Sequence, residues 1–209
     1  MTIVSTKKYV FIKVFKTGGT TIWRELRKND SGARTISSPR LPPIPSKRVR
    51  GPDFSQKAHH VESSWMKENV FPKLGLDWDE YFKFGFVRNP WDREISNYFF
   101  NNRTLKPPKD ISFKEWLNIS LRKDGIIHDQ NTPQCDYLTD VDYIARFENY
   151  AEEVKYLFNR IGVPMSQPLM HLFKTEHKPY WEYYDDADIM KVHQWYEKDI
   201  EMYNYEFGE

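Results

Sequence analysis

The 209-residue chain has almost no cysteine, no long apolar run and no real excess of either charge. Its one cysteine, Cys135, excludes an internal disulfide and any metal centre built from clustered cysteines. No stretch approaches the ~18 consecutive apolar residues of a membrane span. Met1–Lys8 lacks the apolar core of a signal peptide. Lys and Arg number 31 against 30 for Asp and Glu, a net charge of +1, which disfavours a binder of nucleic acid polymers. These absences lead to the expectation of a soluble, cytoplasmic protein with no membrane span. Hydrophobic residues make up 39% and aromatics 16%, too many for a disordered chain. The length suits a single domain over residues 1–209.

Tyr9–Phe15 (YVFIKVF) is apolar at six of its seven positions and β-branched or aromatic at most of them, as in a strand covered on both faces of a parallel sheet. Lys16–Thr21 (KTGGTT) follows as a tight polar turn, and Ile22–Lys28 reads as a helix. Tyr81–Val87 is a second buried strand and Tyr143–Phe147 a third. Asn89 caps a helix whose first residue is Pro90. Ser112 and Glu115 have the spacing of a capping box. Asn149 is placed to cap a helix that Gly162 stops and Pro164 seals. A last helix is expected from Asp186 to about Tyr203. The stretch Arg34–Arg50 holds four prolines and five bases but no acid. A mobile basic loop is expected over 34–53, either a solvated excursion or an electropositive lip for an anionic acceptor. Glu176–Glu209 carries ten acids against three bases, so an anion-handling surface belongs to the first two thirds of the chain.

Two clusters carry chemistry. A strand that ends in Lys-Thr-Gly-Gly-Thr-Thr before a helix is a phosphate-binding arrangement. Glycines let backbone approach an anion, and the N–H groups and dipole at the helix start favour negative charge. Thr20 and Thr21 add hydroxyls. In the nucleotide triphosphate loop G-x-x-x-x-G-K-[ST] the lysine follows the glycines. Here Lys16 precedes them, and that motif is absent from the chain, which disfavours ATP or GTP hydrolysis. The second cluster is Phe86–Tyr98 (FVRNPWDREISNY). Arg88 lies at a strand's carboxyl edge, where open α/β sheets bind ligands, and Ser96 lies two turns into the next helix. A guanidinium fork and a hydroxyl can grip a second phosphate; the plainer alternative pairs Arg88 with Asp92. Histidine titrates near neutrality and can move a proton, and the run Ala58–Glu62 holds His60. His59 and Glu62 stay open as alternatives.

With both motifs in order, the chain resembles the sulfotransferase superfamily, and in particular the carbohydrate-type sulfotransferases that use 3′-phosphoadenosine 5′-phosphosulfate (PAPS). The likeness continues through His60, through Tyr143–Tyr150 (YIARFENY) and to the closing DIEMYNYEF, so it spans nearly the whole chain. The resemblance implies an α/β fold: a P-loop-kinase-like central parallel β-sheet flanked by helices. It implies PAPS as donor, adenosine 3′,5′-bisphosphate as product and no metal. Lys16, Thr17, Gly18, Gly19, Thr20 and Thr21 would hold the 5′-phosphosulfate, and Arg88 and Ser96 the 3′-phosphate. Lys178 and Tyr180, in a segment that aligns with a loop over the donor, would touch its nucleotide end. Lys16 and His60 would be catalytic, Lys16 as the cation for the leaving oxygen and His60 as the base. The acceptor would be a hydroxyl-bearing molecule, anionic or sugar-like. A small-molecule kinase on a related fold and a nucleotide- or glycan-binding protein without turnover are the alternative classes.

Overall fold

A computed structural model describes residues 2–36, 60–104, 111–121, 130–166 and 177–209. In chain order these residues form β1 (Thr2–Ser5), β2 (Tyr9–Ile12), α1 (Gly19–Asn29) and β3 (Ala33–Ile36). Then come α2 (Ser63–Trp65), a π-helical turn (Met66–Val70), α3 (Phe71–Leu74) and β4 (Phe82–Val87). α4 (Pro90–Thr104), α5 (Phe113–Ser120), α6 (Gln134–Tyr137), β5 (Tyr143–Arg146) and α7 (Tyr150–Arg160) follow. The chain closes with α8 (Asp186–Trp195) and α9 (Glu197–Tyr203). The residues gather in two units: Met1–Val87 with Asp136–Leu172, and Arg88–Cys135 with Phe173–Glu209.

The first unit is built on one five-stranded sheet in the order β3-β1-β2-β4-β5. The α/β class holds, but the sheet is mixed where a parallel one was expected. β2, β4 and β5 run parallel, while β1 is antiparallel to both β2 and β3. Met1–Lys8 is too polar to read as a strand, yet β1 is fully buried. Its hydroxyls are the reason it looked exposed, and Ser5 spends its own on Asp30 at 2.5 Å. The expected loop is also corrected at its start. Arg34, Thr35 and Ile36 form the edge strand β3, with Thr35 and Ile36 supplying β-branched side chains; residues 37–53 lie outside the described residues.

Side chains alternate along each strand, so Tyr9 and Phe11 of β2 and Phe84 and Phe86 of β4 share one face. Ile22 and Leu26 of α1 and Val154, Leu157 and Phe158 of α7 close the core against that face. On the other face Gly85 leaves room for Leu138, whose Cδ2 would stand 2.4 Å from a Cβ built at that glycine. α7 ends as expected, with Gly162 left-handed (φ 63°) and Val163 N–H bonded to the Phe158 carbonyl. Asn149, however, supplies no side-chain cap. It is the last residue of a 3₁₀ turn, Phe147–Asn149, that carries the chain straight from β5 into α7.

In the second unit Asn89 caps α4 as expected, its Oδ1 accepting from Trp91 N–H at 3.1 Å. The capping box of Ser112 and Glu115 is complete. The expected last helix is split at Tyr196, whose backbone (φ −111°, ψ 26°) leaves the helical region between α8 and α9. The break accompanies a fully buried ring whose hydroxyl donates to Glu94 at 2.7 Å.

Asp30 ties the start of the fold together. It accepts from Ser5 Oγ, from Tyr9 Oη at 2.7 Å and from Gly32 N–H at 2.9 Å. Burial pushes its carboxyl up, but the Ser5 and Tyr9 hydroxyls and the Gly32 N–H outweigh this and hold it below the ordinary value. A carboxyl lowered in the native state stabilises above the unfolded pKa and loses that contribution as pH falls through the native one. Asp30→Ala, which leaves two buried hydroxyls unpaired, is expected to cost about 3 kcal/mol in urea unfolding. Asp30→Asn is expected to flatten the loss of stability that sets in below about pH 4.

Candidate functional site

β2 gives way to α1 through six residues whose backbone is unusual. Lys16 is left-handed at φ 61°, a conformation that costs a non-glycine residue energy and gathers at functional sites. Gly18 is left-handed at φ 75° and stands at the N-cap of α1. No side chain caps the helix and no acid occupies its first turn. The positive end of the dipole is therefore not neutralised by the helix's own residues, as an anion site requires.

The loop is braced from beneath. Thr17 is buried and its hydroxyl donates to the Val14 carbonyl at 3.1 Å. The Tyr150 hydroxyl, from α7, donates to the Gly18 carbonyl at 2.9 Å and also bonds the Thr21 hydroxyl. A Cβ built at Gly18 would stand 2.5 Å from Tyr150 Cε2 and 3.1 Å from Phe147 Cε2. Both glycines are thus needed, Gly18 for its φ and its closeness to Tyr150, and Gly19 for its closeness to Lys13. The Thr20 and Lys16 side chains are half-buried beside them.

His60 belongs to the same unit. Its Nδ1 lies 2.7 Å from the Lys13 carbonyl oxygen. A carbonyl only accepts, so Nδ1 carries a proton, and on the neutral ring Nε2 carries the lone pair. That is the tautomer a base needs. The ring stands edge-on to Phe15 at 5.3 Å and to Tyr137 at 6.3 Å. Glu62, the alternative base, sits before α2 with its carboxyl pushed up by partial burial and by Asp136. His59 lies outside the described residues.

The second cluster is described within its own unit. Arg88 is the residue after β4 and is buried. Asp92 Oδ2 accepts from both Nε and Nη2 at 2.7 Å, the pairing given above as the plainer alternative. The Arg88 backbone is clamped from both sides: its N–H donates to Gln134 Oε1 at 2.9 Å, and its carbonyl accepts from Gln134 Nε2 at 2.8 Å. Asp199 in turn accepts the N–H groups of Gln134 and Cys135, each at 2.8 Å. Ser96 is buried on α4. Arg93, three residues before it, is fully buried over the Tyr196 ring at 4.6 Å, with Nη2 on the Thr132 carbonyl.

Lys178 is exposed and pairs with Glu182 at 3.6 Å. Tyr180 is buried; its hydroxyl accepts from Gly208 N–H at 2.7 Å and donates to the Glu209 carbonyl at 3.2 Å. Asn89 Nδ2 reaches the same hydroxyl at 3.4 Å and the Glu206 carbonyl at 2.9 Å. The motif around Asn89, the segment around Tyr180 and the closing residues of the chain are therefore one hydrogen-bonded assembly. Among the described residues no group of three or more His, Cys, Asp or Glu converges as a metal site would need.

Sequence reasoning missed Tyr150, Gln134, Asp199 and Lys13. Asp199 opens the closing DIEMYNYEF run, and its backbone contacts explain an acid at that place. Lys13 was visible as the one charge in an otherwise apolar strand run. Tyr150 and Gln134 carry no local signal.

The chain belongs to the Sulfotransferase family, whose model matches residues 1–206. A protein of Archaeoglobus fulgidus, described only as uncharacterized, is 34% identical over 103 residues, covering 48% of this chain and 82% of that protein. No solved structure matches the chain significantly. No helix among the described residues is long and apolar enough to cross a membrane.

Gly18→Ala combines a left-handed φ with a clash on Tyr150 and is expected to cost about 2–4 kcal/mol. Gly75→Ala, also left-handed (φ 65°) but facing open space, is the control and is expected to cost about 1 kcal/mol. Chemical denaturation of both variants checks the difference.

Proposed function

We propose that the protein is an enzyme that transfers a sulfuryl group from PAPS to a hydroxyl on a carbohydrate or other small polar acceptor. The observation that carries this reading is the loop at Lys16–Thr21. A left-handed lysine and a left-handed glycine open a helix that has neither a cap nor an acid in its first turn. In a member of the Sulfotransferase family such a loop suits the phosphosulfate end of the donor. The three parallel strands β2, β4 and β5 are the part of the sheet that a nucleotide-kinase-like architecture would share.

Bound PAPS supplies a sulfur whose bond to the leaving phosphate oxygen breaks as the acceptor oxygen bonds to it. Lys16 and the N–H groups of the loop stabilise the charge that gathers on the leaving oxygen. His60 takes the acceptor's proton at Nε2, its Nδ1–H held by the Lys13 carbonyl. Arg88 and Ser96 hold the 3′-phosphate. Asp92 fixes the guanidinium plane, and Gln134 and Asp199 fix the backbone that carries it. Lys178 offers a cation to the nucleotide end, and Tyr180 acts behind it by holding Asn89 and the closing residues.

Calorimetry with adenosine 3′,5′-bisphosphate and with ADP tests the donor. The bisphosphate is expected to bind at least about tenfold more tightly, since ADP offers Arg88 no 3′-phosphate. Equal affinities would remove Arg88 and Ser96 from the reading. Lys16→Ala is expected to abolish transfer and leave the circular dichroism spectrum unchanged; wild-type turnover in that variant contradicts its role. His60→Ala is expected to lower kcat about a hundredfold or more with little change in bisphosphate affinity.

A further inference from the structure

Lys13 is only 7% exposed, and among the described residues no acid pairs with it. The residue follows β2 directly. A Cβ built at Gly19 would stand 2.8 Å from Lys13 Cγ and 3.4 Å from Cε. The aliphatic stem therefore runs under the first residue of α1, and Nζ is one bond beyond an atom already in contact with it. Among the described residues nothing hydrogen-bonds or ion-pairs with Nζ; the one bond Lys13 makes in this region is through its carbonyl, to His60. The charged group that acts on the ammonium is Arg24 of α1, of the same sign. His60, whose Nδ1 lies on the Lys13 carbonyl, is not an acid. Burial first, and Arg24 second, push the Lys13 ammonium down to about 8.

A buried ammonium without a counter-ion is strongly disfavoured. Here it sits at the positive end of a helix that lacks a cap and an acid, which adds to the disfavour. The Lys13 ammonium and the helix N-terminus carry one sign of charge. What would balance them is an anion at the glycine loop.

We propose that Lys13 is a second cation of the anion site at the glycine loop, and that its counter-ion is the phosphosulfate end of the nucleotide donor. The identity of that anion rests on the function proposed above; the charge argument does not. With the anion in place the ammonium keeps its proton. Without it, the proton is lost as pH rises. Binding above about pH 8 therefore takes up a proton, and affinity falls as pH rises further.

The test compares wild type with Lys13→Met and Lys13→Arg by calorimetry with adenosine 3′,5′-bisphosphate in buffers of different ionisation enthalpy, alongside thermal unfolding without ligand. Lys13→Met is expected to bind at least about tenfold more weakly, to lose the proton uptake, and to unfold at the same or a higher temperature, because a buried charge is gone. Affinity within about twofold of wild type overturns the proposal. If Lys13→Met does not fold, Lys13→Arg decides: a permanent charge is expected to keep binding but abolish proton uptake, and unchanged uptake overturns the proposal. If wild type does not bind the bisphosphate, the donor reading fails on its own. The same comparison with inorganic pyrophosphate then decides Lys13. Binding by wild type that Lys13→Met loses supports the cation, and any other result overturns it.

Discussion

Positive charge gathers where β2 passes into α1, and the buried Lys13 ammonium there has no acid paired with it among the described residues. Lys13 packs against Gly19, Lys16 is left-handed three residues before it, and the helix begins with glycine in place of a capping side chain or a carboxylate. Each of these choices is unfavourable for a free-standing strand–helix turn. Burying an ammonium, twisting a lysine to positive φ and leaving a helix start uncapped all cost stability. An anion at the loop, as proposed above, would offset the buried charge and the uncapped helix start.

The fold spends its own carboxylates elsewhere. Asp30 accepts from two hydroxyls and a backbone N–H and so joins β1, β2 and the end of α1. Asp199 accepts two backbone N–H groups and so fixes Gln134, which clamps Arg88. In both units a buried acid is used to hold backbone in place. The chain's near-neutral net charge therefore hides a division of labour. Acids serve as anchors inside, and Lys13 and Lys16 stand after the end of β2.

Much of the candidate site's backbone was legible because its turns and caps are local. KTGGTT reads as a turn from strand to helix, and the structure has that turn between β2 and α1. Asn89 before Pro90 and Ser112 before Glu115 declare their helix starts by hydrogen bonds spanning two or three residues. The errors came where partners are distant. β1 read as a polar lead because the acid that satisfies Ser5 is 25 residues away. The last helix read as continuous because the break at Tyr196 comes with a contact to Glu94, about a hundred residues earlier. Asn149 read as a cap because nothing local shows that a 3₁₀ turn already occupies its place.

By themselves the residues determined the α/β class, the order of the glycine loop and the Arg88 motif, and the family likeness, because periodicity and short-range hydrogen bonding depend on neighbours in the chain. Only the tertiary structure decided that the sheet is mixed, that Arg88 is shared with Asp92 and clamped by Gln134, that His60 presents the tautomer of a base, and that Lys13 is buried under the loop. Each of those depends on groups brought together by folding. Burial and long-range pairing set what a charge costs and which atom of a ring holds its proton, and neither is written in local sequence.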